Sequence, residues 1–150
     1  MMASLLILLW SVLAVPVAPV KWSFQAVPQD NGEVLVQCTA TLEEGWHVYA
    51  LTLPSDQGPI ATAIRLKPSE AYEPLGDMQE PTPVETYDQN FGMVVRYHDG
   101  TPIFTQRIRP RKEGPVVVEG EVEYMLCNDK TCLPPVTVPF SLTISPETKP

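Results

Sequence analysis

Clustered basic residues are missing from this 150-residue chain, and so is any stretch of sustained 3.6-residue hydrophobic periodicity. Ten Lys and Arg face eighteen Asp and Glu, for a formal net charge of −8. Phosphate backbones are bound by clustered Lys and Arg, so this balance excludes a nucleic-acid partner. It argues equally against an anionic membrane surface, and in its simplest reading it keeps the chain soluble. No Ser/His/Asp constellation, phosphate-binding glycine loop or paired catalytic carboxylates stands out. Histidines number two and cysteines three. The lack of helical periodicity goes with an excess of proline, seventeen residues that would break most long helices and that suit short strands and loops. No internal repeat and no second domain is visible.

Charge is also absent from the first twenty residues, and residues 5–17 are apolar apart from Ser11 and Pro16. This reads as the hydrophobic region of a signal peptide spanning residues 1–18, with Ala14 or Ala18 as cleavage positions. The alternative is a retained membrane anchor, but Pro16 and Pro19 shorten the usable helix below the roughly 20 apolar residues a span requires. Either reading places residues 19–150 outside the cytoplasm, in the periplasm or an equivalent exported setting. About 130 residues are enough for one domain with a sizeable core.

Strand signals recur along the exported part. Residues 22–27 form a first candidate. Residues 33–42 alternate cleanly, with Val34, Val36, Cys38, Ala40 and Leu42 on one face. Glu43-Glu44-Gly45 reads as a turn into a strand at 46–53, and a short run follows at 63–67. Residues 68–90 are rich in Pro, Glu, Asp and Thr and are expected to form long surface loops. Strands resume at 91–97, 102–109, 116–126 and 136–144, with turns at His98-Asp99-Gly100 and Glu113-Gly114-Pro115. Seven to nine short strands at this spacing predict an antiparallel β-sandwich of immunoglobulin-like type.

The segment Cys127-Asn128-Asp129-Lys130-Thr131-Cys132-Leu133-Pro134-Pro135 is the chemically richest part of the chain. A bridge closing so short a loop stabilises by only about 2 kcal/mol in the chain-entropy model, less than longer loops yield. As a staple the pair is weak; as an accessible dithiol at a hairpin tip it suits thiol–disulfide exchange. Lys130 would favour a thiolate and Asp129 would oppose it. Pro134 and Pro135 remove two amide donors and discourage ladder pairing just past Cys132. Cys38, on the apolar face of its strand, reads as a buried inert thiol, with intermolecular pairing as the alternative. Cys127, Cys132, His47 and His98, extended by Met93 and Met125, supply donor types that suit zinc or copper, but only the two cysteines are close in sequence. Trp22, Trp46 and Tyr49 are most simply core aromatics.

Three blocks together resemble the amino-terminal periplasmic domain of DsbD-type thiol:disulfide interchange proteins: Glu44-Gly45-Trp46-His47-Val48-Tyr49, Asp88-Gln89-Asn90-Phe91-Gly92, and Tyr124-Met125-Leu126-Cys127 through Cys132-Leu133-Pro134-Pro135. The likeness covers roughly residues 22–144. It implies an all-β, immunoglobulin-like antiparallel β-sandwich with a redox-active cysteine hairpin. It also implies an electron relay, a thiol–disulfide oxidoreductase of the protein-disulfide reductase type. Cys127 and Cys132 would be the exchanging pair, with Cys132 forming mixed disulfides and Cys127 resolving them. The loop with Asp88 and Phe91 is similar to the family's cap loop, whose aromatic ring shields the cysteines, and Gly92 would hinge it. For Phe91 the plainer alternative is a core residue opening a strand. His47 and Tyr49 fall where aromatic residues line that site. The implied partners are thioredoxin-like periplasmic proteins, serving as electron donor and as disulfide-isomerase or cytochrome c maturation acceptors, together with a membrane electron-transfer protein. No separate cofactor is implied, since the cysteines carry the electrons. The family's membrane-embedded and carrier domains have no counterpart in these residues, so the chain reads as a stand-alone relative or an excised domain. From another functional class, a non-catalytic binding or assembly module with a structural disulfide fits the same strand pattern.

Overall fold

The computed structural model describes residues 17–145. The leader assigned to residues 1–18 therefore lies, but for its last two positions, outside the described residues. Eleven strands follow one another: β1 (Val20–Pro28), β2 (Val34–Leu42), β3 (His47–Tyr49), β4 (Ala63–Leu66), β5 (Tyr72–Gln79), β6 (Val84–Asp88), β7 (Met93–His98), β8 (Ile103–Pro110), β9 (Val116–Tyr124), β10 (Leu126–Cys127) and β11 (Val136–Ile144). Every pairing is antiparallel. They form three sheets, ordered β1-β2-β8-β5, β11-β9-β4 and β10-β3-β7-β6. No helix occurs among the described residues, and none there is long and apolar enough to cross a membrane.

The alternation of β2 becomes the main core. Val34, Val36, Cys38, Ala40 and Leu42 are all buried, and they share one cluster with Phe104 and Ile108 of β8 and Val116, Val118 and Val122 of β9. Aromatic pairs join the first two sheets across this layer. Phe24 of β1 stacks on Phe140 of β11 at 4.3 Å, and Trp22 tilts against Tyr124 of β9 at 5.4 Å. The glycine at 120 belongs to the same packing: a Cβ there would lie 2.6 Å from the Phe140 ring and 2.7 Å from the Arg65 carbonyl oxygen. Cys38 sits fully buried in this core, and burial pushes its thiol pKa up to about 12.

Three expectations need correction. Residues 68–90 are not long loops but carry β5 and β6. Both are sheet edges, where Pro74 and the acidic side chains cost no interior ladder bond. The bulge between Leu75 and Gln79, with Gly76 at φ 71°, breaks the periodicity that would have marked β5. The strand expected at 46–53 stops at Tyr49, because the Leu51 amide is drawn off to the Glu80 carboxylate at 2.8 Å. The run expected at 116–126 is two strands, since the chain leaves β9 at Tyr124 and enters another sheet as β10.

Candidate functional site

The site grows from the two-faced character of the β10-β3-β7-β6 sheet. Opposed residues of an antiparallel pair share a face, and residues two apart along a strand do too. Leu126, Val48 and His98 are in register and face the main core, where His98 meets the edge of Phe104 at 5.4 Å. The opposite face holds Cys127 and His47 in register, Tyr49 opposite Tyr97, and Asp88 opposite Met93. A second, small cluster forms there from buried Tyr49, Val95 and Cys127, with Phe91, Met93, Tyr97, Met125 and Cys132 packed against it.

Cys127 and Cys132 are joined by a disulfide, their Cα atoms 4.1 Å apart. The loop between them is tied internally. Asn128 accepts amide hydrogens from Lys130 and Thr131 at its Oδ1, both at 2.9 Å, while its own amide donates to the Thr131 carbonyl. Leu133 N–H donates to the Leu126 carbonyl at 2.8 Å, and Pro134 and Pro135 then hold the chain out of the ladder until β11 begins. The two sulfur-bearing residues differ in access: Cys127 is fully buried and Cys132 only partly so.

The segment after β6 closes over this face. Tyr49 Oη donates to Asp88 Oδ2 at 2.7 Å. Asp88 Oδ1 accepts the Asn90 amide at 2.7 Å, and its carbonyl accepts the Gly92 amide. Gly92 takes φ 66°, a left-handed conformation that suits glycine at the closing position of such a turn. Phe91 is half-buried with its ring edge-on to Tyr49, centroids 6.1 Å apart. Burial above all, and then the hydrogen bond and charge of Asp88, drive the Tyr49 phenol pKa far up, so it stays a neutral donor. On the other side of Tyr49, the His47 ring makes an edge contact at 5.2 Å and leans on Tyr97 at 4.7 Å. Burial lowers the His47 pKa, and the charges of Asp88, Asp129 and Asp99 work against that. A cleft of about 340 Å³ opens between His47, Tyr97, Asp88, Asn90, Asn128 and Asp129.

Cys127, Cys132, Asp88, Phe91, His47 and Tyr49 thus meet on one sheet face. Sequence reasoning missed Asn90, whose Nδ2 donates to the Asn128 carbonyl at 3.0 Å and ties the two loops together. It also missed Asn128 as the organiser of the cysteine loop; an Asn opening a tight loop is itself an Asx-turn signal. Of the metal-ligand candidates, His98 is directed away, 2.8 Å from Glu80 on the core side. Among the described residues no three His, Cys, Asp or Glu side chains cluster as a metal site.

The fold and site define an immunoglobulin-like β-sandwich domain carrying a partly exposed disulfide. Residues 13–144 match the family model described as the N-terminal domain of the thiol:disulfide interchange protein DsbD, and the chain belongs to that family. Among solved structures, the N-terminal periplasmic domain of ScsB from Proteus mirabilis superposes with a TM-score of 0.59 at 19% identity, covering 89% of this chain and 49% of that one. The chain thus spans about half of that ScsB chain. The reduced DsbD N-terminal domain of Neisseria meningitidis gives a TM-score of 0.53 at 17% identity, over 83% and 86% of the two chains. The same organism's DsbD N-terminal domain, in a complex with the PilB N-terminal domain, gives 0.55 at 15% identity, over 92% and 96%. No match was found among curated protein sequences.

Proposed function

We propose that residues 19–150 are an exported, periplasmic thiol–disulfide interchange domain that relays two electrons between protein partners through Cys127 and Cys132. The leader of residues 1–18 serves export, whether cleaved or kept as a tether. The observation that carries this reading is the unequal access of the two bridged cysteines on a face dominated by aromatic side chains. A partner thiolate attacks Cys132, the S–S bond breaks, and Cys127 leaves as a thiolate while a mixed disulfide forms at Cys132. A second partner thiol then displaces Cys132, so the partner is oxidised to a disulfide and this domain is left as a dithiol. In the other direction Cys127 attacks the mixed disulfide and resolves it. The partners are thioredoxin-like proteins, one donating electrons and others, of the disulfide-isomerase or cytochrome c maturation kind, accepting them. The meningococcal complex of a DsbD N-terminal domain with a PilB domain supports a protein partner.

Phe91 and Asp88 form the cap: Asp88 holds the loop down through Tyr49 and Asn90, and Phe91 covers the aromatic cluster. The equilibrium reduction potential of Cys127–Cys132, in a Cys38→Ala background, tests the reading. A value among known protein relays, well above about −300 mV, is expected; one below that marks a structural bond and a non-catalytic module. Cys127→Ala should then accumulate mixed disulfides with partners through Cys132.

A further inference from the structure

His47 has no assigned chemistry in this relay, yet its placement is specific. It lies directly across the β3–β10 pair from Cys127, on the same face, where opposed Cβ atoms are about 4.5–5.5 Å apart. Its Nε2 is buried and has no hydrogen-bond partner while the disulfide is intact. Unpaired buried donors or acceptors cost free energy and are rare. The dithiol state supplies a partner on the spot, namely the Cys127 sulfur once it is released from Cys132. We infer that His47 is the proton carrier of Cys127, an assignment that rests on the relay reading above.

The step balances. When an incoming thiolate takes Cys132, Cys127 departs with the bonding electron pair as a thiolate, and the His47 imidazolium passes it a proton, leaving a neutral imidazole and a thiol. In resolution the neutral imidazole takes that proton back, and the Cys127 thiolate attacks Cys132 and expels the partner as its thiolate. The proton exchanges with water in the adjoining cleft. The groups facing the ring suit the task. Tyr49 and Tyr97 hold it by edge and tilted contacts, and Asp88 from β6, Asp99 after β7 and Asp129 from the cysteine loop favour the imidazolium against burial. Burial still outweighs these charges while the disulfide is intact, and the negative charge on the departing Cys127 sulfur then adds to the pull towards the imidazolium.

The test uses the Cys38→Ala chain with a thionitrobenzoate mixed disulfide on Cys132, following the release of the coloured thiol by Cys127 as a function of pH. With His47 present, the rate levels off above the imidazole titration. With His47→Phe, which keeps the aromatic contacts, it climbs with pH into the thiol range and is slower near neutrality by roughly a hundredfold. An NMR titration of the His47 ring needs no substitution at that position, and its midpoint should differ between the disulfide and the dithiol forms. Superimposable pH profiles for the two proteins, or identical ring titrations in both redox states, overturn the assignment while leaving the relay intact. A disulfide that resists dithiothreitol in the folded domain overturns the relay and the assignment together.

Discussion

The two clusters of this molecule are built by different means. The main core is an apolar layer filled chiefly by alternating β-branched and aromatic side chains from β1, β2, β8, β9 and β11, with Val48 of β3 and Leu126 of β10 reaching it from the third sheet. The cluster around the disulfide has only three buried members and sits on the outer face of the third sheet. It is held by a covalent bond, the Tyr49–Asp88 hydrogen bond and the Asn90–Asn128 tie. Apolar burial alone fixes the first; the second has too little apolar area and relies on directional bonds. Regions with few buried contacts open at lower free energy than the core, which is where exchange chemistry can reach a sulfur without unfolding the domain.

This contrast breaks if damage to one cluster is felt equally in the other. The largest effect is expected from Phe104→Ala, which empties a fully buried site between Trp22 and His98 and should cost about 3–5 kcal/mol in urea unfolding. The rate at which a small thiol reduces the folded domain should change far less; an equal change would make the two clusters one cooperative unit. Gly120→Ala forces a Cβ against the Arg65 carbonyl and the Phe140 ring, for a loss of about 1–3 kcal/mol by the same measurement.

Phe91→Ala acts on the other side. Losing an aromatic contact worth about 0.5–1.5 kcal/mol should speed reduction by a small thiol roughly two- to tenfold, with little change in urea midpoint. If the rate of reduction stays as it was, the cap role of Phe91 is wrong.

The smallest effect sharpens the role of burial at His47. Its pKa in the folded chain lies below the ordinary 6.5. Between those two values the unfolded chain binds more protons, so stability rises with pH there. The contribution is complete above about pH 6.5 and is lost as pH falls through the window. His47→Phe should flatten this part of the urea midpoint between pH 7 and pH 5.

Much of the core was legible because its signal is local. Alternation in 33–42 identifies the buried face of β2, including Cys38, from residue types alone. The turn at Gly45 is equally plain, and its φ of 84° confirms the need for glycine there. The edge strands β5 and β6 were not legible, since an edge strand tolerates proline, charge and bulges and so carries no clean period. Nor was the switch of sheets at Met125, because β9 and β10 together read as one continuous strand. At the site, His47, Tyr49, Asp88 and Phe91 were found through family likeness rather than through pattern. Asn90 escaped because a side chain that bonds a distant carbonyl leaves no mark on its neighbours, whereas Asn128 carries a local Asx-turn signal.

By itself the sequence determined the strand-rich character of the domain, the inward face of its main core and the presence of a closely spaced cysteine pair. These follow from local alternation, turn chemistry and spacing. Only the tertiary structure decided that the chain leaves one sheet at Met125 and lays Cys127 beside His47 in another, under a loop tied to it across 38 residues of sequence. That choice depends on which strands pair across long separations. Side-chain period says which face of a strand is buried, but not which strand lies next to it.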